Sequence, residues 1–553
     1  MYPVPNASEQ PPGAEPRSPV SRDSRCPPRN DAACRIFPGE GGGSHDQRGF
    51  FMVSDSTRLL SGAVIRAAES LLTNELTEKL GYAFALWLAK RLGTTPDRLS
   101  VSVGHDSRPS GPRLQHALID GLTAADADVY DCGLATTPAM QMSIMLKQIR
   151  ASGAVMVTAS ARESGMNGFK FFTPDGPVSA EDAAEILEGA LNTTVPHRLV
   201  KKLDLMSAYR ERLKDNILEF MGDDVALPLL GLHVVVDASG GAGGFFAELL
   251  SSLGADTEGS LNLTPDGTFA LHEPNPESPA ALAALSRAVV EEEADLGVMF
   301  DADGDRVAIV DQTGRAINRN RLIALIAAIL LDDEKDLTFV TDSVTSSGLS
   351  RFITEWGGTH YRYRRGYKNV IEEAKRLSAE GIHVPVAIET SGHAAMAENY
   401  FIDDGMYLAT KVICEAMWRK RDGLTLSSLI DELQEPAESV EVRLPIIQED
   451  YRRAAGYVIE AILSNTLTNP EWRLAPDNRE GVRILFSLDG GVDNAWFMLR
   501  LSVHDPVMPV NAESDVEGGL EYILTQLYAV LEKDNEELDL TPLKDVINQL
   551  KTK

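Results

Sequence analysis

From residue 46 onward, short runs of β-branched and apolar residues alternate with longer stretches whose apolar positions recur at helical spacing. Residues 99–106 read as a strand that ends in a polar loop, and 113–133 as a helix followed by a strand. A second strand covers 153–160 and runs out to Ser160. Residues 232–244 pass from a β-branched strand into a glycine-rich turn, and 245–254 then take a helical pattern. The scheme repeats at 294–305, 337–349 and 384–393. Leu322 to Leu331 is a ten-residue apolar run between Arg321 and Asp332, about half the roughly 20 residues a membrane span needs, and it predicts a buried helix. Strands alternating with helices predict an α/β protein with parallel or mixed sheets, in which ligands gather at the carboxyl ends of strands. After about Pro436 the pattern changes to closely spaced strands, around 482–491 and 495–505, which reads as a smaller α+β domain.

Length, charge and cysteine content narrow the picture. A chain of 553 residues is too long for one core and predicts three or four domains. Its 52 Lys and Arg stand against 82 Asp and Glu, a net charge of -30, which argues against nucleic acid and membranes as partners. An anionic substrate must therefore be caught by a local basic pocket working against the global field. The 4 cysteines show no metal-ligand spacing, as expected of a soluble intracellular protein in a reducing compartment. Residues 1–45 are rich in Pro, Ser, Gly and Arg without apolar periodicity and read as a disordered or targeting segment, which leaves cytoplasm and plastid both open.

Three polar loops at strand ends carry chemistry. Asp301, Asp303 and Asp305 alternate along one loop with Gly304 inside it, so three carboxylates can converge on one cation. An all-oxygen set favours a hard ion, Mg²⁺ before Ca²⁺ or Zn²⁺, although a bare alternation of this kind also fits a solvated acidic turn. Arg306 follows directly. Ser160 ends its strand after Thr158-Ala159, with Asn167-Gly168-Phe169-Lys170 downstream. That can place a nucleophile at a cleft and a cation near it, although a serine at a strand end more commonly just makes a turn. Glu389 and Ser391, two apart before Gly392-His393, suit the holding of sugar hydroxyls.

Taken in order, these and further strings resemble the α-D-phosphohexomutases, especially the phosphomannomutase/phosphoglucomutase-like branch of plants and algae. His45-Asp46-Gln47-Arg48-Gly49 is similar to the family's opening Asp-x-Arg-Gly, and Gly104-His105-Asp106-Ser107-Arg108 to its Gly-x-Asp-x-Arg loop. Thr158-Ala159-Ser160 resembles the phosphoserine loop. Pro265 to Glu277 resembles the segment ahead of the metal loop, Asp301 to Arg306 the metal loop, Gly366-Tyr367-Lys368 a phosphosugar-contacting loop, and Glu389 to His393 the sugar loop. The resemblance implies four domains around a central cleft: three related α/β domains with mixed sheets, at 46–205, 206–315 and 316–435, and a C-terminal α+β domain at 436–545. It implies a mutase that interconverts hexose 1-phosphate and hexose 6-phosphate, of glucose or mannose, through phosphorylated Ser160 and a bound 1,6-bisphosphate. Mg²⁺ is expected on Asp301, Asp303, Asp305 and Ser160. Arg48, Lys170 and His393 are the expected catalytic helpers. Arg306, Lys368, Glu389, Ser391, Arg500, Ser502 and His504 are the expected substrate contacts, in a monomer or dimer.

Two departures from the family pattern stand out. The histidine and proline that follow the nucleophile are absent, and Ala161, Arg162 and Glu163 stand there, with Glu163 expected to face solvent. In the phosphate loop, Arg500 and Ser502 remain, but the Gly-Thr turn is lost and Pro509 replaces the second arginine, leaving His504 as an alternative donor. A catalytically impaired phosphosugar-binding homologue and a phosphoglucosamine mutase are the alternative readings.

Overall fold

The computed structural model describes residues 60–61, 64–193, 195, 201–222, 225–502, 505–533 and 536–552. Four sheets succeed one another along the chain. The first has eight strands, with Ser100–His105 parallel to Asp128–Leu134 and to Gly153–Val157, and Met166–Thr173 returning antiparallel beside Gly153–Val157. The second sheet has four strands and the third has five. In the second, Val234–Asp237 lies parallel to Leu296–Phe300, against which Val307–Asp311 returns antiparallel. In the third, Thr338–Thr341 lies parallel to Val386–Ile388, and Ala394–Met396 returns antiparallel. The fourth sheet, from Glu438–Pro445 to Val507–Ser514, is antiparallel throughout and is covered by the helices Tyr451–Thr466 and Gly519–Lys533. Three mixed α/β sheets and a C-terminal α+β domain are thus the observed architecture.

The same unit recurs in the first three sheets: a buried parallel strand, a polar loop, and an antiparallel strand back. Residues 158–165, 301–306 and 389–393 are these loops, so the serine, the aspartates and the glutamate–histidine pair occupy equivalent corners. The strands leading in are apolar and fully buried, as sheets covered on both faces require.

One continuous apolar core joins the first three domains. It runs from Met140 through Tyr209, Phe246 and Phe300 to Leu325, Phe352 and Met406. Two helices tie it together, Leu205–Met221 and Gly405–Arg421. Asp404 caps the second by accepting the Tyr407 N–H at 2.8 Å and also accepts the Tyr209 hydroxyl at 2.8 Å. The helix predicted around Leu322–Leu331 is Asn320–Asp333, buried in this core. The C-terminal domain has its own core around Trp472, Phe486 and Phe497. Among the described residues no helix is long and apolar enough to cross a membrane.

One local reading is corrected. The strand expected over 153–160 ends at Val157, and Ser160 lies beyond it with a left-handed φ of +56°. The reason is local hydrogen bonding: Thr158 Oγ1 donates to Asp106 at 2.7 Å and accepts the Ser160 N–H at 2.8 Å, pulling the chain out of extended geometry.

Candidate active site

The loop around Ser160 is built on Arg108, which is fully buried. Its guanidinium donates to the carbonyls of Ser160 (2.7 Å), Arg162 (2.6 Å), Glu163 (2.6 Å) and Met166 (2.9 Å). Asp106 pairs with it at 3.1 Å. Four loop carbonyls on one rigid fork hold the serine in its strained conformation without the family's proline. Glu163 turns its side chain to solvent, as its charge requires.

Ser160 Oγ meets the second domain. It donates to Asp301 Oδ2 at 3.0 Å and accepts from Arg306 at 3.1 Å, and the Arg306 Nε donates to the same Asp301 oxygen at 2.9 Å. Gly304, at φ +75°, folds the aspartate loop back so that the Gly304 and Arg306 N–H groups donate to Asp301 Oδ1 at 3.1 and 3.2 Å. Lys170, buried on the antiparallel return strand, reaches Asp303 at 2.7 Å and Asp305 at 2.6 Å. Thr137, at the start of the helix Thr137–Met145, donates its hydroxyl to Asp303.

Three carboxylates and two cations leave this centre with one excess negative charge. Ligand atoms of Asp301, Asp303 and Asp305 lie within 4.8 Å of one another, and Asp303 Oδ1 and Asp305 Oδ1 are buried without a hydrogen-bond partner. Orphaned carboxylate oxygens turned inward fit a bound cation, which would satisfy them. Burial pushes Asp301 up to about 7, against the pull of Arg306. Burial works on Asp303 in the same sense, but Lys170 and the Thr137 hydroxyl outweigh it and hold that carboxyl below the usual range. Lys170 keeps its proton because Asp303 and Asp305 overcome the cost of burying it.

The third domain closes the other side. His393 Nδ1 lies 2.7 Å from Asp403 and 3.8 Å from Asp305, and the His393 ring stacks on Tyr367 at 5.1 Å. Burial drives this imidazole down to about 4, which favours the neutral ring at ordinary pH; a tautomer with Nδ1 donating to Asp403 would leave Nε2 as a proton acceptor. Glu389 takes the Gly366 N–H at 2.6 Å and the Ser391 hydroxyl at 3.2 Å. Burial, reinforced by Asp342, pushes Glu389 up to about 8.

The predicted residues are therefore partly assembled. Ser160, Lys170, Asp301, Asp303, Asp305, Arg306 and His393 form one cluster, with Glu389 and Ser391 beside it. Lys368 instead lies 3.4 Å from Glu372 on its own helix, Tyr367–Ala379. Arg500 is buried at the end of the strand Ala495–Leu499, and Ser502 follows it. Arg48 and His504 lie outside the described residues, as does the segment 1–45. Sequence reasoning missed Arg66, on the strand Val64–Ala68, where it pairs with Gly168 on the strand that returns from the Ser160 loop. Among the described residues its Nε is buried without a hydrogen-bond partner, and burial together with nearby Arg162 lowers it to about 10, with Arg306 and Asp303 as further charged neighbours. It brings a cation to the Ser160 side of the cleft. Thr137 was missed too, and Arg108 was legible only as the end of its motif, because the roles of both depend on contacts between distant segments.

A serine, an acidic loop that could hold a cation and a largely buried histidine thus share one cleft. Family models described as phosphoglucomutase/phosphomannomutase α/β/α domains I, II and III match residues 61–196, 208–314 and 318–436. A phosphomannomutase/phosphoglucomutase of Pseudomonas syringae is 28% identical over 491 residues, 87% of this chain and 98% of that one. A phosphoglucosamine mutase of a Bradyrhizobium strain is 31% identical over 382 residues, 68% of this chain and 82% of that one. A crystal structure of a phosphoglucomutase/phosphomannomutase family protein from Burkholderia thailandensis superposes with a TM-score of 0.74 at 24% identity, covering 88% of this chain and 100% of that one. The chain belongs to the phosphoglucomutase/phosphomannomutase family, within the α-D-phosphohexomutases. It is a phosphohexomutase, an intramolecular phosphotransferase. Arg66 falls inside the matched first domain, whereas Arg48 precedes it.

Proposed function

We propose that this enzyme interconverts the 1- and 6-phosphates of glucose, mannose or both, with Ser160 as phosphate carrier, Mg²⁺ as the metal and a 1,6-bisphosphate as the bound intermediate. The observation that carries this reading is Ser160 Oγ in contact with both Asp301 and Arg306. Asp301, Asp303 and Asp305 would hold the ion, which when bound supplies charge stabilisation to the transferring phosphoryl group. Arg306 donates to the serine oxygen, and Arg66 and Lys170 add positive charge around it. A sugar hydroxyl oxygen attacks phosphorus and the bond from phosphorus to Ser160 Oγ breaks. The hydroxyl proton passes to His393 Nε2 and is then given up to the released Ser160 Oγ, so no net proton is gained or lost in the transfer. After the bisphosphate turns over in the cleft, its other phosphate returns to Ser160 by the reverse transfer. Glu389 and Ser391 hold the sugar in either orientation, while Arg500 and Ser502 receive the phosphate that is not reacting.

Position 161 bears on how well this works. Ala161 offers no general acid or base, so proton transfer falls to His393 and electrostatic support to Arg66 and Arg306. Intact-mass analysis of the purified enzyme, with glucose 1,6-bisphosphate added, should show one phosphate that Ser160→Ala abolishes. A coupled assay with glucose, mannose and glucosamine phosphates should show turnover for at least one. The phosphoglucosamine mutases among the relatives are the reason to include the amino sugar. No phosphoserine and no turnover with any of the three would sink the reading.

A further inference from the structure

We propose that Arg365 is a substrate-binding residue, the second guanidinium on the phosphate that Arg500 receives. The inference rests on the phosphohexomutase reading and assigns a cation to a place where the phosphate loop has lost one. Pro509 stands where a second arginine is expected, and it lies inside the strand Val507–Ser514, where it has no charge to offer.

Arg365 comes from the third domain, one residue ahead of Gly366, whose N–H is already bound to Glu389. Its own N–H donates to Glu480 of the C-terminal domain at 3.0 Å, and the Ser343 hydroxyl donates to the same oxygen at 2.6 Å. The next residue, Gly481, lies so close to Arg500 that a Cβ there would sit 2.8 Å from the Arg500 Cβ. Arg365 and Arg500 therefore flank one turn from opposite domains. Each counts the other's neighbours, Asp342 and Glu441, among its own, and Arg365 opposes the charge on Arg500, which burial already disfavours.

Two cations that approach one turn from opposite domains and repel each other favour a shared anion unless local carboxylates already satisfy them. These carboxylates are committed elsewhere. Asp342 takes the Thr390 hydroxyl at 2.7 Å and its N–H at 3.4 Å. Glu389 is taken by Gly366 and Ser391, and Glu480 by Ser343 and the Arg365 backbone. What remains for the Arg365 guanidinium is one loose approach to Asp342, at 3.8 Å, and among the described residues it makes no hydrogen bond. Among the described residues Arg500 Nε is buried without a hydrogen-bond partner, and one terminal nitrogen donates to the Leu501 carbonyl at 3.3 Å. Uncommitted N–H groups from two planar forks are what a phosphate dianion binds. Because one fork comes from each domain, bound phosphate would also clasp the C-terminal domain onto the third.

The test is calorimetric binding of glucose 6-phosphate to the full-length enzyme and to Arg365→Met, Arg365→Lys, Arg500→Met and the double methionine variant. Arg365→Met should weaken binding by about tenfold or more, with Arg365→Lys in between. In the double variant the loss should be smaller than the product of the two single losses, since both groups hold one phosphate. Binding by Arg365→Met within twofold of wild type overturns the proposal, and so do single losses that multiply fully in the double. If the methionine variant does not fold, an unchanged affinity in Arg365→Lys serves as the overturning result. A wild type that binds glucose 6-phosphate but turns over none of the glucose, mannose and glucosamine phosphates removes the mutase reading and leaves the Arg365 comparison readable.

Discussion

The two kinds of domain seam in this molecule are made of opposite materials. The first three domains share an uninterrupted apolar core through the helices Leu205–Met221, Asn320–Asp333 and Gly405–Arg421. The C-terminal domain meets the third mainly through charge and hydrogen bonds. Arg362 pairs with Asp477 at 2.6 Å, Arg483 donates to the Ser343 and Thr345 carbonyls at 3.0 Å, and Arg351 meets Asp515 at 3.0 Å. Only a small apolar patch, Val344 with Ala475, Leu485, Trp496 and Met498, supports it. Apolar seams are costly to open, whereas polar ones exchange their bonds with water at little net cost. The chemistry proposed for Ser160, the aspartate loop and His393 thus sits inside one apolar-cored body. The phosphate grip proposed for Arg365 and Arg500 is shared with a domain whose seam is largely polar, and we expect that seam to open more readily than the apolar ones.

Substitutions on either side of this contrast should behave differently. The largest effect belongs to the apolar-cored body: Asp303→Asn should lower turnover at least about 10³-fold in the coupled assay, because it removes a metal-facing carboxylate. Its thermal unfolding should stay close to wild type; retained activity would remove Asp303 from the metal site. Arg108→Met should come next, because it strands buried Asp106 and four loop carbonyls at a cost of about 3–5 kcal/mol. A lower melting temperature and slower Ser160 phosphorylation by mass analysis should go together, and normal phosphorylation kinetics would show that the loop does not depend on Arg108. Asp477→Asn tests the polar seam. It should raise KM about fivefold with kcat nearly unchanged and only a small loss of stability, in line with roughly 1 kcal/mol for a partly exposed pair. A fall in kcat with constant KM would contradict the division of labour.

The smallest effect is a pH dependence. Glu389 in the folded protein is raised to about 8 from an ordinary value of 4.5, so between those values the folded state binds the extra proton. Stability from this group therefore falls as pH rises from about 5 towards 8. Glu389→Gln should flatten the decline in melting temperature between pH 6 and 9, and an identical decline in both proteins would show that Glu389 does not titrate there.

Much of this was legible in the sequence, because each motif loop ends an apolar strand and the strands could be read from β-branched runs. What escaped the reading was set by pairing between distant segments. Asp46-Gln47-Arg48-Gly49 matched the family string literally, while Arg66 stands in Val64-Ile65-Arg66-Ala67 with neither aspartate nor glycine beside it. Only the register of its strand against Gly168 brings it to the cleft. Lys368 looked like the phosphosugar contact of its loop, but it begins a helix whose spacing points it along to Glu372, leaving Tyr367 against His393. The strain at Ser160 was equally hidden, since it follows from Arg108 and Asp106, some fifty residues upstream.

The recurrence of one strand–loop–strand corner in three successive sheets has an evolutionary reading. Each corner is anchored by its own sheet, but its side chains are tied to those of the next: Ser160 to Asp301 and Arg306, Lys170 to Asp303 and Asp305, and His393 to within 3.8 Å of Asp305. A substitution in one corner is therefore felt in the other two, and whatever Ala161 does not supply must come from side chains on neighbouring sheets.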